Sequence, residues 1–386
     1  MEIYKFTDCV EVVGSACPSF EGEKHYISTG AVEKNMIDET KVEIVSYDEK
    51  PSRANLVVEA GTLLFAKMQA TEKTILIDDV SEQYVYSTGF CAVKPIETII
   101  NQNCLYHLLM SDMFLKQKDK NCSGATQKAI TNAGLKKIII SVPPLEQQDS
   151  IAEKLDLISE LIKNQRKGLQ KLDELINSRF VEMFGDPEYN TKNLPVFKLS
   201  KLCKVGSSKR IYQSEQSTAG IPFLRISDLN ERIDKGRETS ELFIPFEKYT
   251  ELHEQGLVPE FGDILVTSRG TLGKCYIVKR TDNFYFQDGM ISWLSEMDEN
   301  VTSLYIAHLF AMPGIQKQIA NLQAGSTVAY LSIAMLKKLD IMLPPIEMQH
   351  QFAAFVHQVE KLKSEEQKKL EQTQTLFDSL MQKYFG

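Results

Sequence analysis

The chain contains two copies of a 62-residue segment, and this internal repeat constrains the fold more than any other feature. Residues 124–185 and 325–386 align without a gap at an offset of 201, with 19 identities in 62 positions. The identities include a proline pair and two polar residues that recur in order: Pro143, Pro144, Glu146 and Gln148, then Pro344, Pro345, Glu347 and Gln349. Such a match is far above chance, so the sequence predicts a duplicated architecture.

Upstream of each copy the similarity fades while the offset persists. Gly61-Thr-Leu-Leu-Phe corresponds to Gly262-Asp-Ile-Leu-Val, again 201 residues apart. The segment around Tyr86 resembles the segment around Tyr285 with one residue of slippage. Each copy is therefore preceded by a divergent globular part of roughly 140 residues, called a head below, in a chain long enough for two or three domains. Short strand-and-turn runs, at residues 220–229 and 261–278, indicate mixed α/β heads.

The repeated segment begins with a strand and continues as a long helix. Residues 135–142 form a β-branched run that we predict to be a strand, ended by the proline pair. A helix is predicted to open at Glu146 and to stop at Gly185. Its apolar positions alternate steps of four and three residues, which is the a/d seam of a coiled coil: Ile151, Leu155, Ile158, Ile162, Gln165, Leu169, Leu172 and Ile176.

The second copy offers a matching seam, so the simplest closure is an antiparallel pair of helices within one chain. Its members are Phe352, Val356, Val359, Glu366, Leu370, Phe377 and Leu380. Gln165 and Glu366 fall near the middle of the predicted seam, and a polar layer there would fix the register at some cost in stability. Replacing both with leucine should then raise the thermal stability.

Composition limits the functional classes. Seven cysteines without a CxxC pair suit neither a disulfide framework nor a zinc site, and reduced, mostly buried thiols are expected. No signal peptide or membrane span is evident, so we expect a cytoplasmic protein. The net charge is −8, with 15 Lys+Arg against 19 Asp+Glu in residues 1–143 and 18 against 18 in residues 187–344. Any nucleic-acid surface must therefore be a local cleft, with further positive charge supplied by a partner.

With these features in place, the chain resembles the specificity subunits of type I restriction–modification systems. The resemblance rests on the repeated Pro-Pro-(Leu/Ile)-Glu-x-Gln motifs, each opening a long helix, and on Gly124-Ala-Thr-Gln and Gly325-Ser-Thr-Val upstream. Residues 175–187 and the Gly262–Gly270 turn also match. The ordered set spans essentially the whole chain. Val328, where the first copy has Gln127, departs from the family's usual residue.

The resemblance implies an α+β fold with two mixed α/β target-recognition domains, separated by two long helices in an antiparallel coiled coil with pseudo-twofold symmetry. The domains would be residues 1–143 and 187–344, and the helical regions residues 144–186 and 345–386. Each domain would read one half of a bipartite site on double-stranded DNA. The helices would space the domains and dock two methyltransferase subunits, with restriction and translocase subunits in the full complex. The chain would hold no metal or cofactor, and S-adenosylmethionine would bind to the methyltransferase partners.

Basic residues near turns of the heads are the candidate DNA contacts, since Arg and Lys hold phosphates and Arg also reaches base edges. They are Arg53, Lys67 and Lys73 in the first head and Lys209, Arg210, Arg225, Arg269 and Lys274 in the second. For each of them a solvated surface charge is the alternative. No catalytic residue is assigned, because the Asn-Pro-Pro-aromatic motif of amino-methyltransferases and an evident nuclease cluster are both missing from the sequence.

Two other readings stay open from the sequence. The chain could be the target-recognition fragment of a combined restriction–methyltransferase enzyme, which binding of S-adenosylmethionine to the isolated chain would reveal. It could also be a coiled-coil scaffold protein without DNA binding. A salt-dependent DNA shift with the purified complex would separate that reading, because phosphate contacts make affinity fall steeply with salt.

Overall fold

The computed structural model describes residues 1–125, 127–323 and 329–386. The chain forms two compact units. The first contains residues 1–167 and 367–386, and the second contains residues 168–366. Each unit thus combines one head with half of each long helix, and the boundaries of the recognition domains stay a prediction.

The first head alternates short strands with short helices. Its strands are β1 (Glu2–Lys5), β2 (Val10–Val12), β3 (Lys24–Ile27), β4 (Val32–Glu33), β5 (Met36–Ile37), β6 (Glu43–Val45), β7 (Ala54–Leu56), β8 (Leu63–Ala66), β9 (Thr74–Leu76), β10 (Val85–Ser87), β11 (Phe90–Pro95), β12 (Cys122–Ser123), β13 (Ala129–Ile130) and β14 (Ile139–Val142). Its helices are α1 (Phe6–Cys9), α2 (Gln102–Leu109), α3 (Asp112–Lys120) and α4 (Asn132–Leu135), and the long helix α5 (Leu145–Phe184) follows. Three 3-10 turns lie at Thr29–Ala31, Glu39–Lys41 and Ser81–Gln83.

The second head follows the same plan. Its strands are β15 (Val196–Lys198), β16 (Lys204–Gly206), β17 (Ile221–Leu224), β18 (Phe243–Ile244), β19 (Ile264–Thr267), β20 (Cys275–Ile277), β21 (Tyr285–Phe286), β22 (Ile291–Ser295) and β23 (Asp340–Met342). Its helices are α6 (Leu199–Leu202), α7 (Ile226–Lys235), α8 (Phe246–Glu254), α9 (Ser303–Ala311), α10 (Pro313–Leu322) and α11 (Ile333–Leu336), and the long helix α12 (Ile346–Phe385) follows. A 3-10 turn lies at Gln213–Glu215.

The duplication is visible in the sheets. The first head has a four-stranded sheet in the order β2-β11-β8-β9, and the second has the order β16-β22-β19-β20. The central pairing keeps its register across the repeat, since Val93 faces Leu63 in one head and Leu294 faces Ile264 in the other. A second sheet in each head contains one parallel pair, β3 with β10 and β17 with β21. The sequence expectation of mixed α/β heads is confirmed.

The long helices pair in opposite directions. In the first unit, Ile151 and Leu155 at the start of α5 share a core with Met381 and Phe385 at the end of α12. The second unit places the end of α5 against the start of α12, where Phe180 and Phe184 contact the ring of Phe352. The start of each helix therefore packs on the end of the other, which confirms the antiparallel coiled coil. Each helix has 40 residues and is about 60 Å long.

The predicted seam residues are buried or half-buried along both helices. The fully buried or nearly buried members are Ile151, Leu155, Ile162, Gln165, Ile176, Phe352, Val356 and Val359. The half-buried members are Ile158, Leu169, Leu172, Glu366, Leu370, Phe377 and Leu380. Burial of a stripe with 3.5-residue spacing is what a coiled-coil seam requires.

One buried glutamine joins each head to its long helix. Gln148 is fully buried, and its side-chain oxygen accepts a hydrogen bond from the backbone of Asn101 (2.8 Å). Its amide group donates to the carbonyl oxygens of Ile99 (2.8 Å) and Pro143 (2.9 Å). The second unit repeats all three bonds with Gln349, whose partners are Thr302, Asn300 and Pro344. Losing the amide would leave buried backbone groups unpaired at about 1–3 kcal/mol each, which explains why both motifs contain this glutamine.

Two local predictions need correction. Residues 135–142 are not one strand, because α4 ends at Leu135 and β14 begins at Ile139. The Thr131 side chain caps this short helix by accepting a hydrogen bond from Gly134. In the second head, the residues after Leu224 form helix α7 rather than the predicted turn, and the Asp228 carboxylate accepts a hydrogen bond from the backbone of Arg225 at the helix start.

The end of helix α5, the cysteines and the absence of an apolar spanning helix from the described part of the chain can also be compared with the sequence. Helix α5 starts at Leu145, one residue before the predicted start, and Gly185 follows its end with φ +82°, a left-handed conformation that favours glycine. All seven cysteines carry free thiols, five of them buried. Burial raises the pKa of the Cys104 and Cys203 thiols to about 12. Among the described residues, no helix is both long and apolar enough to cross a bilayer.

Replacing Gln165 with leucine is expected to stabilise the protein. The Gln165 side chain is 8% exposed, and its side-chain oxygen has no hydrogen-bond partner among the described residues. A leucine of similar volume removes that unsatisfied acceptor and adds apolar contact, so the free energy of unfolding should rise by about 1–2 kcal/mol. Chemical denaturation measures the change, with the exposed neighbour Asn164→Leu as the control. A lower stability for Gln165→Leu would show that the amide is needed in the seam.

Candidate nucleic-acid interface

A cleft in the second head brings together two of the residues predicted to contact DNA. Arg210 and Arg269, 59 positions apart in the sequence (269 − 210), both line a cavity of about 360 Å³. The other lining residues are Ile211, Gln216, Phe223, Gln287, Asp288, Gly289 and Met290. The cleft therefore combines two guanidinium groups, two amides and one carboxylate over an apolar floor.

Hydrogen bonds from neighbouring residues fix the segment that carries Arg210. The Tyr285 hydroxyl accepts a hydrogen bond from the backbone N–H of Lys209 (2.9 Å) and donates to its carbonyl oxygen (3.1 Å). Ser208 donates to the carbonyl oxygen of Phe286 (2.7 Å). Burial raises the pKa of Tyr285 to about 12, so this hydroxyl stays protonated at neutral pH. The segment 208–210 is therefore held against the turn that follows β21.

Arg269 extends from the tip of the β19–β20 hairpin. The preceding residue, Ser268, is buried, donates its backbone N–H to the carbonyl oxygen of Met290 (2.9 Å) and contacts the Ser292 hydroxyl (2.7 Å). Arg269 forms an isolated antiparallel bridge with Tyr330, and its guanidinium carbon lies 5.4 Å from the centre of that ring. The Arg269 side chain is exposed, and the backbone bridge and the ring of Tyr330 restrict its conformations.

The one carboxylate of the cleft pairs with only one of its two guanidinium groups. Arg210 donates from Nε to Asp288 at 2.8 Å, and this bond raises the pKa of the arginine above its usual value. Arg269 has no carboxylate partner among the ion pairs of the described residues. Guanidinium and amide groups are the side chains that pair with guanine and adenine edges, and a carboxylate accepts from cytosine. The chemistry of the cleft suits contact with nucleic-acid bases.

The first head assembles a comparable cluster around Thr88. Lys67 donates from Nζ to the carbonyl oxygen of Thr88 (3.0 Å), and the backbone N–H of Thr88 donates to the carbonyl oxygen of Arg53 (2.9 Å). The Arg53 guanidinium in turn donates to the Gln127 side-chain oxygen (3.1 Å). Two predicted residues, Arg53 and Lys67, therefore meet at the turn that precedes β11.

The two clusters lie beside the same hairpin and turn of the repeat, although Arg53 and Arg210 do not occupy corresponding positions. The backbone N–H of Lys67 donates to the carbonyl oxygen of Gly89, and the backbone N–H of Ser268 donates to the carbonyl oxygen of Met290. Donors and acceptors of these two bonds are each 201 residues apart in the sequence. Met68 bridges Ala129 as Arg269 bridges Tyr330. Lys73, at the far end of the β8–β9 hairpin, donates to the carbonyl oxygen of Thr29 (2.6 Å). The side chains differ while the backbone frame is kept.

Three predicted residues in the second head lie outside the cleft lining. The Arg225 guanidinium donates to Asp228 (3.4 Å) and to Glu241 (2.9 Å). Lys274 donates to both carboxylate oxygens of Asp234 at 2.6 and 2.7 Å. Lys209 lies 4.0 Å from Glu251. Their roles in DNA binding stay predictions.

The amides of the two clusters, Gln127, Gln216 and Gln287, were not among the predicted site residues, and neither was Tyr330. A signal was present for Gln287, because it lies in the Tyr285 segment that recurs from the first head. Gln216 carries no repeat or motif that would have singled it out. Thr126 and the Gly325–Val328 segment lie outside the described residues. Among the described residues, no group of three or more His, Cys, Asp or Glu side chains is arranged to hold a metal ion.

A family model described as the type I restriction modification DNA specificity domain matches residues 2–174 and 191–372. A putative type I restriction enzyme specificity subunit of Haemophilus influenzae is 27% identical over 270 residues, covering 68% of this chain and 65% of that protein. The EcoBI specificity subunit of Escherichia coli is 22% identical over 306 residues, covering 72% of this chain and 63% of that protein. The matches thus span just under two thirds of these relatives.

Two solved structures share the fold. One, from a study of complex assembly and conformational transition in a type I restriction–modification system, superimposes with a TM-score of 0.60 at 18% identity. The alignment covers 99% of this chain and 97% of that chain. The other is the type I restriction–modification S subunit of M. genitalium, with a TM-score of 0.58 at 14% identity and coverage of 100% and 96%. Both matches extend over both heads and both long helices.

Replacing Arg269 with alanine is expected to weaken binding to duplex DNA by roughly tenfold, because one good contact to a base edge is worth about 1–3 kcal/mol. The affinity is measured with the protein in its assembled complex at several salt concentrations. A base contact leaves the salt slope unchanged, whereas a phosphate contact lowers it by about one. The control is Arg237→Ala, an exposed arginine paired with Glu231 and outside the cleft lining. Equal losses for the two variants would contradict a specific role for Arg269.

Proposed function

We propose, because this chain belongs to the type I restriction–modification DNA specificity domain family, that it is the subunit that recognises the DNA sequence for such a complex. Each head reads one half of a bipartite double-stranded site, and the paired helices set the gap between the halves. The chain is a non-catalytic recognition subunit. The methyltransferase and restriction activities, and S-adenosylmethionine, belong to its partners.

One observation carries this proposal. The two heads share a hairpin and a turn at the offset of 201, and beside them each head has its own basic and amide side chains, Arg53, Lys67 and Gln127 in one and Arg210 and Arg269 in the other. Two domains that recognise different DNA sequences in the same way require a similar backbone and different side chains at the contact surface. Each head is joined to its helix by a buried glutamine, Gln148 or Gln349, so a head cannot turn freely on its helix.

The charge distribution is consistent with sequence reading rather than strong general binding. The chain has a net charge of −8. Several cations near the candidate surface are already paired with carboxylates, as Lys274 is with Asp234 and Arg225 is with Glu241. Non-specific affinity depends on unpaired positive charge facing the phosphates. We therefore propose that partner subunits supply most of the affinity and that this chain supplies the discrimination.

The decisive experiment maps methylated bases in the host genome with and without this chain. We expect methylated bases at one bipartite motif in the host that has the chain, and we expect this methylation to be lost when the chain is removed. Persistence of the same motif without the chain would exclude it as the sequence-reading component. Methylation by the isolated chain would instead favour a combined enzyme.

Exchanging residues 1–123 for the corresponding head of another specificity subunit should change one half of the recognised motif. The reason is that the candidate contacts of the first head, Arg53, Lys67 and Lys73, all lie within this segment. Methylation mapping of the hybrid measures both halves at once. The reciprocal exchange of the second head is the control and should change the other half. A hybrid with both halves altered would contradict independent reading.

Repeated exposed leucines on the long helices support docking of two identical partners. Leu161 and Leu376 in the first unit are 48% and 51% exposed, and Leu175 and Leu362 in the second are 46% and 52% exposed. Leu161 corresponds to Leu362, and Leu175 to Leu376, at the offset of 201. Leu161, Leu175 and Leu376 directly precede seam residues, and Leu362 precedes Lys363, which corresponds to the seam residue Ile162 at the offset of 201. The two leucines of a unit therefore flank the same edge of the antiparallel pair. We propose that each pair contacts one methyltransferase subunit.

The opposite edge of the seam is polar and provides matched controls. Arg166 donates to Gln374 (3.3 Å) in the first unit, and Asp173 on this edge in the second unit lies 2.7 Å from Lys363 of the seam. The double variant Leu161→Ser with Leu376→Ser should lose one of two bound methyltransferase subunits, because each buried leucine contributes about 1–2 kcal/mol. Native mass spectrometry of the complex counts the subunits. Arg166→Ser with Gln374→Ser should retain both, and a leucine variant that also retains both at equal affinity would disprove this docking edge.

A further inference from the structure

A buried lysine lies beneath the β8–β9 hairpin loop of the first head. Lys118, on helix α3, has a side chain that is 1% exposed. Its ammonium group donates to the carbonyl oxygens of Met68 (3.0 Å) and Thr71 (2.7 Å). The third contact is with the Asp119 carboxylate at 3.3 Å. The two carbonyl oxygens accept hydrogen bonds from the ammonium group, and the carboxylate adds an ion pair that offsets its buried charge.

Asp119 fastens the same loop from the adjacent position. Its carboxylate accepts a hydrogen bond from the backbone N–H of Ala70 (3.0 Å). Ala70 has φ +55°, a left-handed conformation that residues other than glycine rarely adopt. The loop shape is thus unfavourable for its own sequence and is maintained by contacts from helix α3. The loop, residues 67–73, begins and ends with two candidate DNA contacts, Lys67 and Lys73.

The second head achieves a loop of equal length without a buried charge. Its loop, residues 268–274, has glycines at the two left-handed positions, Gly270 (φ +71°) and Gly273 (φ +77°). The Thr267 side chain fixes the loop from within by accepting a hydrogen bond from the backbone of Lys274 (3.0 Å). The residue that corresponds to Lys118 is Ile319, which is 2% exposed and reaches beneath Gly273. An apolar residue therefore suffices where the loop sequence itself favours the turn.

We infer that Lys118 is a positioning residue for DNA recognition by the first head, holding the loop 67–73 in the one shape that presents Lys67 and Lys73. This inference rests on the proposed function. Burying an ammonium group is costly compared with packing an apolar side chain, as the second head does with Ile319. The charge is retained here because it selects a conformation that the loop, lacking glycine, does not adopt by itself. Lys118 itself does not touch the DNA.

The test compares half-site selectivity in the assembled complex with its methyltransferase partners. The probes are three duplexes: the mapped site, the same site with the half read by the first head substituted, and the same site with the other half substituted. For Lys118→Met, the ratio of affinities between the mapped site and the first substituted duplex should fall by roughly tenfold, the size of one lost base contact. The ratio for the other substituted duplex should stay within about twofold of the wild type, because loss of one base contact alters only its own half.

Two control variants separate positioning from stability. Lys116→Met removes an exposed lysine of the same helix, paired with Asp112, and should leave both ratios unchanged. Ile138→Val trims a fully buried residue in the core of the first head, so it lowers the unfolding temperature without changing either ratio. Amide hydrogen exchange provides a second readout, since the Ala70 amide should exchange faster in Lys118→Met than in Ile138→Val.

The inference would be overturned if folded Lys118→Met kept the wild-type affinity ratio between the mapped site and the duplex substituted in the first half-site. It would also be overturned if the ratios for both substituted duplexes fell equally. If Lys118→Met does not fold, Asp119→Asn replaces it, because the Asp119 side chain is 32% exposed and its loss leaves the ammonium bound to two carbonyls. The expected result is again a reduced first ratio, and an unchanged ratio rejects the role. A wild-type complex with no preference between the duplexes would instead reject the proposed function.

Discussion

The packing of the start of each long helix against the end of the other is the constraint on which both units depend. It brings Ile151 beside Phe385 in one unit and Phe180 beside Phe352 in the other, so each unit is built from chain segments far apart in sequence. The heads are then attached to these helix pairs through the buried amides of Gln148 and Gln349. A buried amide with every hydrogen bond satisfied tolerates little displacement, because a small rotation leaves backbone groups unpaired.

The two hairpin loops, residues 67–73 and 268–274, likewise combine a conserved backbone arrangement with different side chains. Each hairpin loop lies beside the turn before β11 or β22, and main-chain bonds from Lys67 and Ser268 maintain that arrangement in both heads. The means of shaping the loop differ. The first head uses a buried ammonium group, whereas the second uses glycines and the Thr267 hydroxyl. Two loops of equal length can therefore present different side chains without altering the sheet beneath them.

The proposed recognition of DNA by an acidic protein requires that its positive charge be local. Arg210, Arg225 and Lys274 are each paired with a carboxylate in the second head. These pairs are exposed, and an exposed pair contributes at most about 1 kcal/mol, so a phosphate or base can compete for the cation at small cost. The pairs also restrict the orientations of the Arg210 and Arg225 guanidinium groups. Specificity and modest intrinsic affinity are compatible in such a surface.

Most of the architecture that could be predicted from the sequence was predicted from its internal repeat and its heptad periodicity. The offset of 201, the paired prolines and the four-three spacing of Leu155 and its neighbours predicted two like heads and two helices in an antiparallel pair. These signals are readable because a long seam imposes its period on every turn of the helix. Short elements could not be predicted in this way. The helix after Arg225, for example, begins where the Asp228 carboxylate accepts a backbone hydrogen bond. Local capping of this kind leaves little trace in a hydrophobic pattern.

The candidate site shows the same division. Arg210 and Arg269 could be nominated from the sequence as basic residues near turns, but their meeting in one cleft depends on the pairing of β16, β19 and β22 in one sheet. Lys118 could not be predicted as a functional residue from the sequence, because a lysine in an amphipathic helix is ordinarily solvated. Its burial depends on the residues that the fold places around it.

The sequence alone therefore determined the duplication, the long helices and their direction, since these follow from patterns along the chain. Tertiary structure alone decided which side chains share a cleft and which cation lies buried beneath a loop. Those outcomes depend on contacts between residues dozens of positions apart, and no local pattern encodes such contacts.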